Sequence, residues 1–109
     1  MQYPKSTIID KVYKVIIKRK EALPERSYVA SLYKNGLEKI LEKVEEESSE
    51  LLEASRDGGK REIIHETADL WFHVLILLGE KGITPDDIYR ELENRFGRSG
   101  IEEKEARKK

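Results

Sequence analysis

Five acidic residues fall in two tight groups, Glu46, Glu47 and Glu50, then Glu66 and Asp69. A helix turns about 100° per residue, so Glu46 and Glu50 project about 40° apart and Glu47 and Glu50 about 60° apart. The first three therefore share one helix face, and Glu66 and Asp69 share another by the same arithmetic. An apolar stripe runs through Leu37, Ile40, Leu41 and Val44 and resumes at Leu51 and Leu52. Glu47 and Ser48 stand where its next step belongs. A carboxylate on a buried seam costs free energy unless it is paired or bound to a metal, and neighbouring carboxylates repel. A hard divalent cation answers both problems, and all-oxygen ligation suits Mg²⁺ or Mn²⁺. The plain alternative is a solvated acidic face, which is how Glu42, Glu45 and Glu53 read. The residues alone leave both readings open for the two groups.

Other candidates carry less. Glu62 and His65 form a Glu-x-x-His, but di-iron carboxylate bundles use two such motifs and the chain has only two histidines. His73 follows Asp69 by about one helical turn. It could touch a phosphate, or it could be a satisfied histidine at an interface. Lys18, Arg19 and Lys20 read as a solvated helix end near the negative pole of the dipole. There is no Gly-rich phosphate loop, nucleophile elbow or Cys–His pair, so phosphate chemistry would have to run through metal and side chains.

The elements that must hold these residues are helical. Ile8, Ile9, Val12, Val15 and Ile16 recur at three- and four-residue spacing, with Ser6 or Thr7 as the cap and an end near Lys20. Glu21 to Ser27, with Pro24, reads as a connection. A long helical stretch follows and stops near Asp57-Gly58-Gly59, where a glycine can take the left-handed C-terminal conformation. The next helix spans about Lys60 to Lys81, with Ile63, Thr67, Leu70, Trp71, Val74, Leu77 and Leu78 as its stripe and Gly82 as its stop. The last opens with Thr84 as N-cap, Pro85 in the first position, and Asp86 and Asp87 at the positive end of the dipole. Ile88, Leu92 and Phe96 would face inward, and the polar tail from Gly97 reads as frayed. The expectation is one all-α domain over residues 1–109, with four to five helices. Its two longest helices form an antiparallel hairpin that brings the acidic faces together.

Composition sets the limits. The chain has 109 residues, 39% of them charged and 7% aromatic, with net charge −1 and no cysteine. One small domain so rich in charge has a thin core, so hairpins of two or more subunits are expected to pack into a bundle, as a homodimer or larger homo-oligomer. No overall field favours nucleic acid or an acidic membrane, disulfides and thiolate metal sites are excluded, and no apolar run approaches the ~20 residues that span a bilayer. The start, Met1-Gln2-Tyr3-Pro4-Lys5, does not read as a signal peptide. A soluble cytoplasmic protein is expected.

The pattern Glu46-Glu47-x-x-Glu50 followed by Glu66-x-x-Asp69 resembles the signature of the all-α nucleoside triphosphate pyrophosphohydrolases. Three further stretches make the chain similar to the phosphoribosyl-ATP pyrophosphatase family within them: Ser27-Tyr28-Val29-Ala30-Ser31-Leu32, Lys43-Val44-x-Glu46-Glu47 and Ala68-Asp69-Leu70-Trp71-Phe72-His73. The stretch from Phe96 to Lys104 adds to the likeness. The resemblance implies Mg²⁺-dependent hydrolysis between the α- and β-phosphates of phosphoribosyl-ATP, giving phosphoribosyl-AMP and pyrophosphate in histidine biosynthesis. It further implies Glu47, Glu50, Glu66 and Asp69 as metal ligands. Glu46 would hold or deprotonate the attacking water, or reach a second ion. Lys43 is then placed to contact a phosphate. Ser27, Tyr28, Ser31 and His73 are placed to bind phosphate or the phosphoribosyl group; for the first three an N-cap and a packed loop are the alternative. The rival readings are a house-cleaning pyrophosphohydrolase of the same superfamily, acting on dUTP or damaged nucleotides, and a helical dimerisation module with no activity.

Overall fold

The computed structural model describes residues 7–96, and within them it has five helices and no strand. Ser6, most of the Phe96–Lys104 stretch and the rest of the tail lie outside the described residues. The first helix, α1, is Ile8–Arg19, and Thr7 caps it by accepting from the Asp10 N–H at 3.3 Å. Helix α2 is Tyr28–Asn35, α3 is Leu37–Asp57, α4 is Lys60–Lys81 and α5 is Pro85–Arg95.

The helical stretch after Ser27 is broken where the sequence suggested continuity. Gly36 sits at φ +96, which ends α2 and starts α3 in a new direction. Only glycine takes such a backbone without steric cost. Gly58 corrects a second expectation. It is extended, at φ −97 and ψ 175, and not left-handed. Close approach accounts for the glycine: a Cβ there would lie 2.9 Å from the Ala54 carbonyl oxygen and 2.6 Å from Glu62 Oε2. The start of α5 is as the sequence reads: Thr84 Oγ1 accepts from the Asp87 N–H, and Asp87 Oδ2 accepts from the Thr84 N–H at 2.9 Å.

Helices α3 and α4 form the expected antiparallel hairpin and share the most extensive contact in the molecule. The core lies toward one end of it. Ile16 of α1, Val29 and Leu32 of α2, Ile40 of α3, and Leu75 and Ile76 of α4 are buried together. Gly79 lets the helices close on that core: its missing Cβ would sit 2.3 Å from the Tyr33 hydroxyl, which donates to the Ile76 carbonyl at 2.7 Å. So this glycine is a packing residue, beyond the weak last turn that helix propensity predicts for it.

The stripe read along α4 meets the core only at its end, where Leu77 and Leu78 pack against it. His73, Leu75, Ile76 and Gly79 face the core. Trp71 is 56% exposed, and Leu70, Val74, Ile88, Leu92 and Ile9 line an open apolar groove beside it. Ile88, Leu92 and Phe96 thus face outward in the single chain, against the expectation of an inner face. Periodicity finds apolar faces but does not say which one meets this chain's own core.

Candidate active site

The hairpin brings the acidic groups together. One oxygen each from Glu47, Glu50 and Glu66 lies within 4.8 Å of the others. Glu47 and Glu50 are one turn apart on α3, and Glu66 faces them from α4. Glu47 is 7% exposed, where the stripe through Ile40 continues, and its Oε2 is buried with no hydrogen-bond partner. Glu66 Oε2 is in the same state. Burial pushes the Glu47 carboxyl up, and the charge and side-chain contact of Glu50 push it further. The Glu50 contact is the first cause that raises the Glu66 carboxyl, with burial second. These groups resist full ionisation together without a counter-charge.

Asp69 joins through Glu66. His65, Glu66 and Asp69 form a second group whose ligand atoms also lie within 4.8 Å of one another. His65 Nε2 is 3.4 Å from Asp69 Oδ2 and 3.8 Å from Glu66 Oε1. Sequence reasoning weighed His65 only against Glu62. Glu62 instead turns back to accept from the Gly59 N–H. The missed signal was the His65–Asp69 spacing of four, which puts both on one face with Glu66.

Glu46 stands apart from both groups. It is exposed and pairs with Lys43, whose Nζ lies 3.0 Å from Glu46 Oε2. That hydrogen bond lowers the Glu46 carboxyl and raises the Lys43 ammonium.

His73 is 6% exposed and linked to the cluster through the backbone: its Nδ1 is 2.8 Å from the Asp69 carbonyl oxygen, and its Nε2 is 2.7 Å from the Tyr28 hydroxyl. Burial raises the Tyr28 phenol, with Lys43, Glu47, Glu46 and Asp69 all near enough to act on it. Ser27 and Ser31 serve α2 itself. Ser27 Oγ accepts from the Ala30 N–H at 3.1 Å as the N-cap, and Ser31 Oγ donates to the Tyr28 carbonyl at 2.7 Å. The structure thus draws Tyr28, Lys43 and His73 to the acidic cluster and gives the two serines local roles.

The donor set suits a hard divalent cation. All the ligands of the first group are carboxylate oxygens, and two of their atoms are buried without a partner. A strong counter-charge would satisfy both atoms and relieve the repulsion.

A family model described as phosphoribosyl-ATP pyrophosphohydrolase matches residues 9–96. The phosphoribosyl-ATP pyrophosphatase of Geobacter sulfurreducens is 54% identical over 100 residues, which is 92% of this chain and 93% of that protein. The protein of the same name from Methylococcus capsulatus is 46% identical over 101 residues, covering 93% of this chain and 96% of its own length. Both alignments take in nearly all of the hairpin's surroundings as well as the acidic groups themselves.

Proposed function

The chain belongs to the phosphoribosyl-ATP pyrophosphohydrolase family, and from that premise we propose that its acidic cluster holds Mg²⁺, with Mn²⁺ as the substitute. The protein is a pyrophosphatase of histidine biosynthesis: it hydrolyses phosphoribosyl-ATP to phosphoribosyl-AMP and pyrophosphate. Water adds at phosphorus, and the bond between the α- and β-phosphates breaks.

The observation that supports the metal reading is Glu47, a carboxylate buried among carboxylates with an unpartnered oxygen. Glu47, Glu50 and Glu66 would hold the cation, with Asp69 completing the set beside Glu66. When bound, it would neutralise phosphate charge and assist departure of pyrophosphate. Glu46 holds the attacking water. Its bond to Lys43 keeps it ionised, which makes it a weak base, better suited to orienting a proton than to removing one. Lys43 has room to turn one of its donors to a phosphate as a point charge.

We further propose that the chain works as a homodimer in the cytoplasm. The open groove beside Trp71 supports self-association, because exposed apolar patches rimmed by polar residues mark interfaces. Light scattering at micromolar concentration would give a dimeric mass; a monomeric mass would remove this part.

The test of function is pyrophosphate release from phosphoribosyl-ATP, dUTP and ATP, each with Mg²⁺ and with EDTA. Release from phosphoribosyl-ATP alone, and only with Mg²⁺, is the expected result. Release with EDTA would overturn the metal reading. Release from dUTP would move the chain to the house-cleaning branch, and no release from any of the three would favour a non-catalytic module.

A further inference from the structure

His73 fixes the direction of a hydrogen bond at the edge of the acidic cluster. Its Nδ1 faces the Asp69 carbonyl oxygen at 2.8 Å. A carbonyl only accepts, so Nδ1 carries a proton. In the neutral ring the other nitrogen, Nε2, is then an acceptor. It lies 2.7 Å from the Tyr28 hydroxyl, so the phenol donates its one proton to His73. The imidazole has little freedom to turn away. It is 6% exposed and stands edge-on to Tyr28 and Phe72, with centroids 5.7 and 5.5 Å away.

The Tyr28 oxygen is left with lone pairs and no proton for a ligand on its open side. Tyr28 is half exposed, and Lys43, Glu46, Glu47 and Asp69 surround it electrostatically. Phosphate oxygens near neutral pH are acceptors, so a phenol in this state has nothing to give them. A hydroxyl is different, because it can donate.

Resting on the function proposed above, we propose that Tyr28 is a specificity residue that accepts a hydrogen bond from a sugar hydroxyl of the substrate, and that His73 is the positioning residue that makes it an acceptor. With the phosphates drawn to the cation that the cluster would hold, the hydroxyls of the adjoining sugar are the donors the substrate can offer to this side chain. A site that hydrogen-bonds a substrate hydroxyl rejects analogues without one far more sharply than an apolar pocket does, because its own polar group is left unmet. This role sorts Tyr28 away from phosphate binding and removes His73 from direct contact with the substrate.

Tyr28→Phe tests it, since the ring and its packing on His73 remain. Two constants are compared between wild type and variant: KM for phosphoribosyl-ATP, and the inhibition constant of inorganic pyrophosphate, which has phosphate oxygens but no sugar. The expected result is a KM about tenfold higher, the size of one lost hydrogen bond, with pyrophosphate inhibition unchanged. Equal weakening of both would mean that the phenol donates to phosphate and would overturn the proposal. So would no change in either constant. The ¹⁵N shifts of His73 check the premise: Nδ1 protonated and Nε2 bare is expected, and the reverse tautomer overturns the assignment. Loss of wild-type turnover would count against the enzyme reading itself, whereas an active wild type with an unaltered Tyr28→Phe removes this proposal alone.

Discussion

Glu47 and Glu66 approach each other across the α3–α4 hairpin, and each keeps one carboxylate oxygen buried without a hydrogen-bond partner. In the free protein that arrangement is a standing cost, because buried neighbouring carboxylates repel and lack hydrogen-bond partners.

Replacing Glu47 by Gln, or Asp69 by Asn, removes charge at nearly constant volume. Turnover is expected to fall more than about 100-fold, because outer-shell partners of a metal alone are worth about 10–100-fold. Circular dichroism should still show a folded helical protein. Full activity in either variant would take that residue out of the site.

Added Mg²⁺ should raise the melting temperature of the wild type. A ligand at 100 times its dissociation constant stabilises the folded state by about 2.7 kcal/mol. In Glu47→Gln most of that response should vanish, read by thermal melts with Mg²⁺ and with EDTA. An unchanged wild-type melt in excess Mg²⁺, with Glu50→Gln equally stabilised in both conditions, would mean that the cluster is not a metal site.

The raised Glu47 carboxyl gives the metal-free protein a pH dependence of definite sign. Its folded value lies above the ordinary 4.5, first through burial and then through Glu50. The folded state therefore binds the proton more tightly than the unfolded state, and stability falls as pH rises from 4.5 through the raised value. The lowered Asp87 of the α5 cap works the other way, its contribution fading as pH falls through its depressed value. Urea unfolding in EDTA, compared between wild type and Glu47→Gln, isolates the Glu47 contribution. The two curves should converge toward acid and part toward neutrality; a constant gap would show that Glu47 titrates normally.

Much of this was legible before the structure. The acidic pairs could be placed on facing helices because helical periodicity and the glycine-bounded turn are both local, and the Thr84–Asp87 cap is written in four consecutive residues. Other features needed the third dimension. Gly36 breaks the helix because of a backbone angle, and the Asn35-Gly36 pair was its only trace. Gly58 is glycine because two atoms come near, which no local pattern reports. The apolar face of α4 was visible, but most of it lines an open groove with Ile88 and Leu92 and not the core. Tyr28 and His73 are 45 residues apart, so their hydrogen bond has no signature in spacing.

Gly79→Ala offers a test of close packing away from the site. A methyl group would meet the Tyr33 hydroxyl at 2.3 Å and Ile17 Cδ1 at 3.1 Å. Overpacking of this kind costs about 1–3 kcal/mol. Tyr33→Phe removes the nearest atom, so the same glycine substitution should be milder in that background. Equal penalties in a double-mutant cycle would place the cost in the helix backbone and not in the Tyr33 contact.

Trp71→Glu tests the groove. A charge placed at this half-exposed indole should convert a dimer to monomers in light scattering. An unchanged mass would move the interface elsewhere.

Beyond Glu47, α3 has no buried side chain, and α4 has none before His73. The outer half of the hairpin is therefore packed with part-buried side chains only, less deeply than the core end, yet it carries Glu50 and Glu66. Segments with few buried contacts open locally at low free energy. Amide hydrogens from about Leu51 to Glu66 should therefore exchange with solvent ahead of those in the core end of the same two helices. Neutralising the carboxylates should slow them. A filled site would supply the counter-charge that does so, and exchange in this arm should be slowest with the site filled.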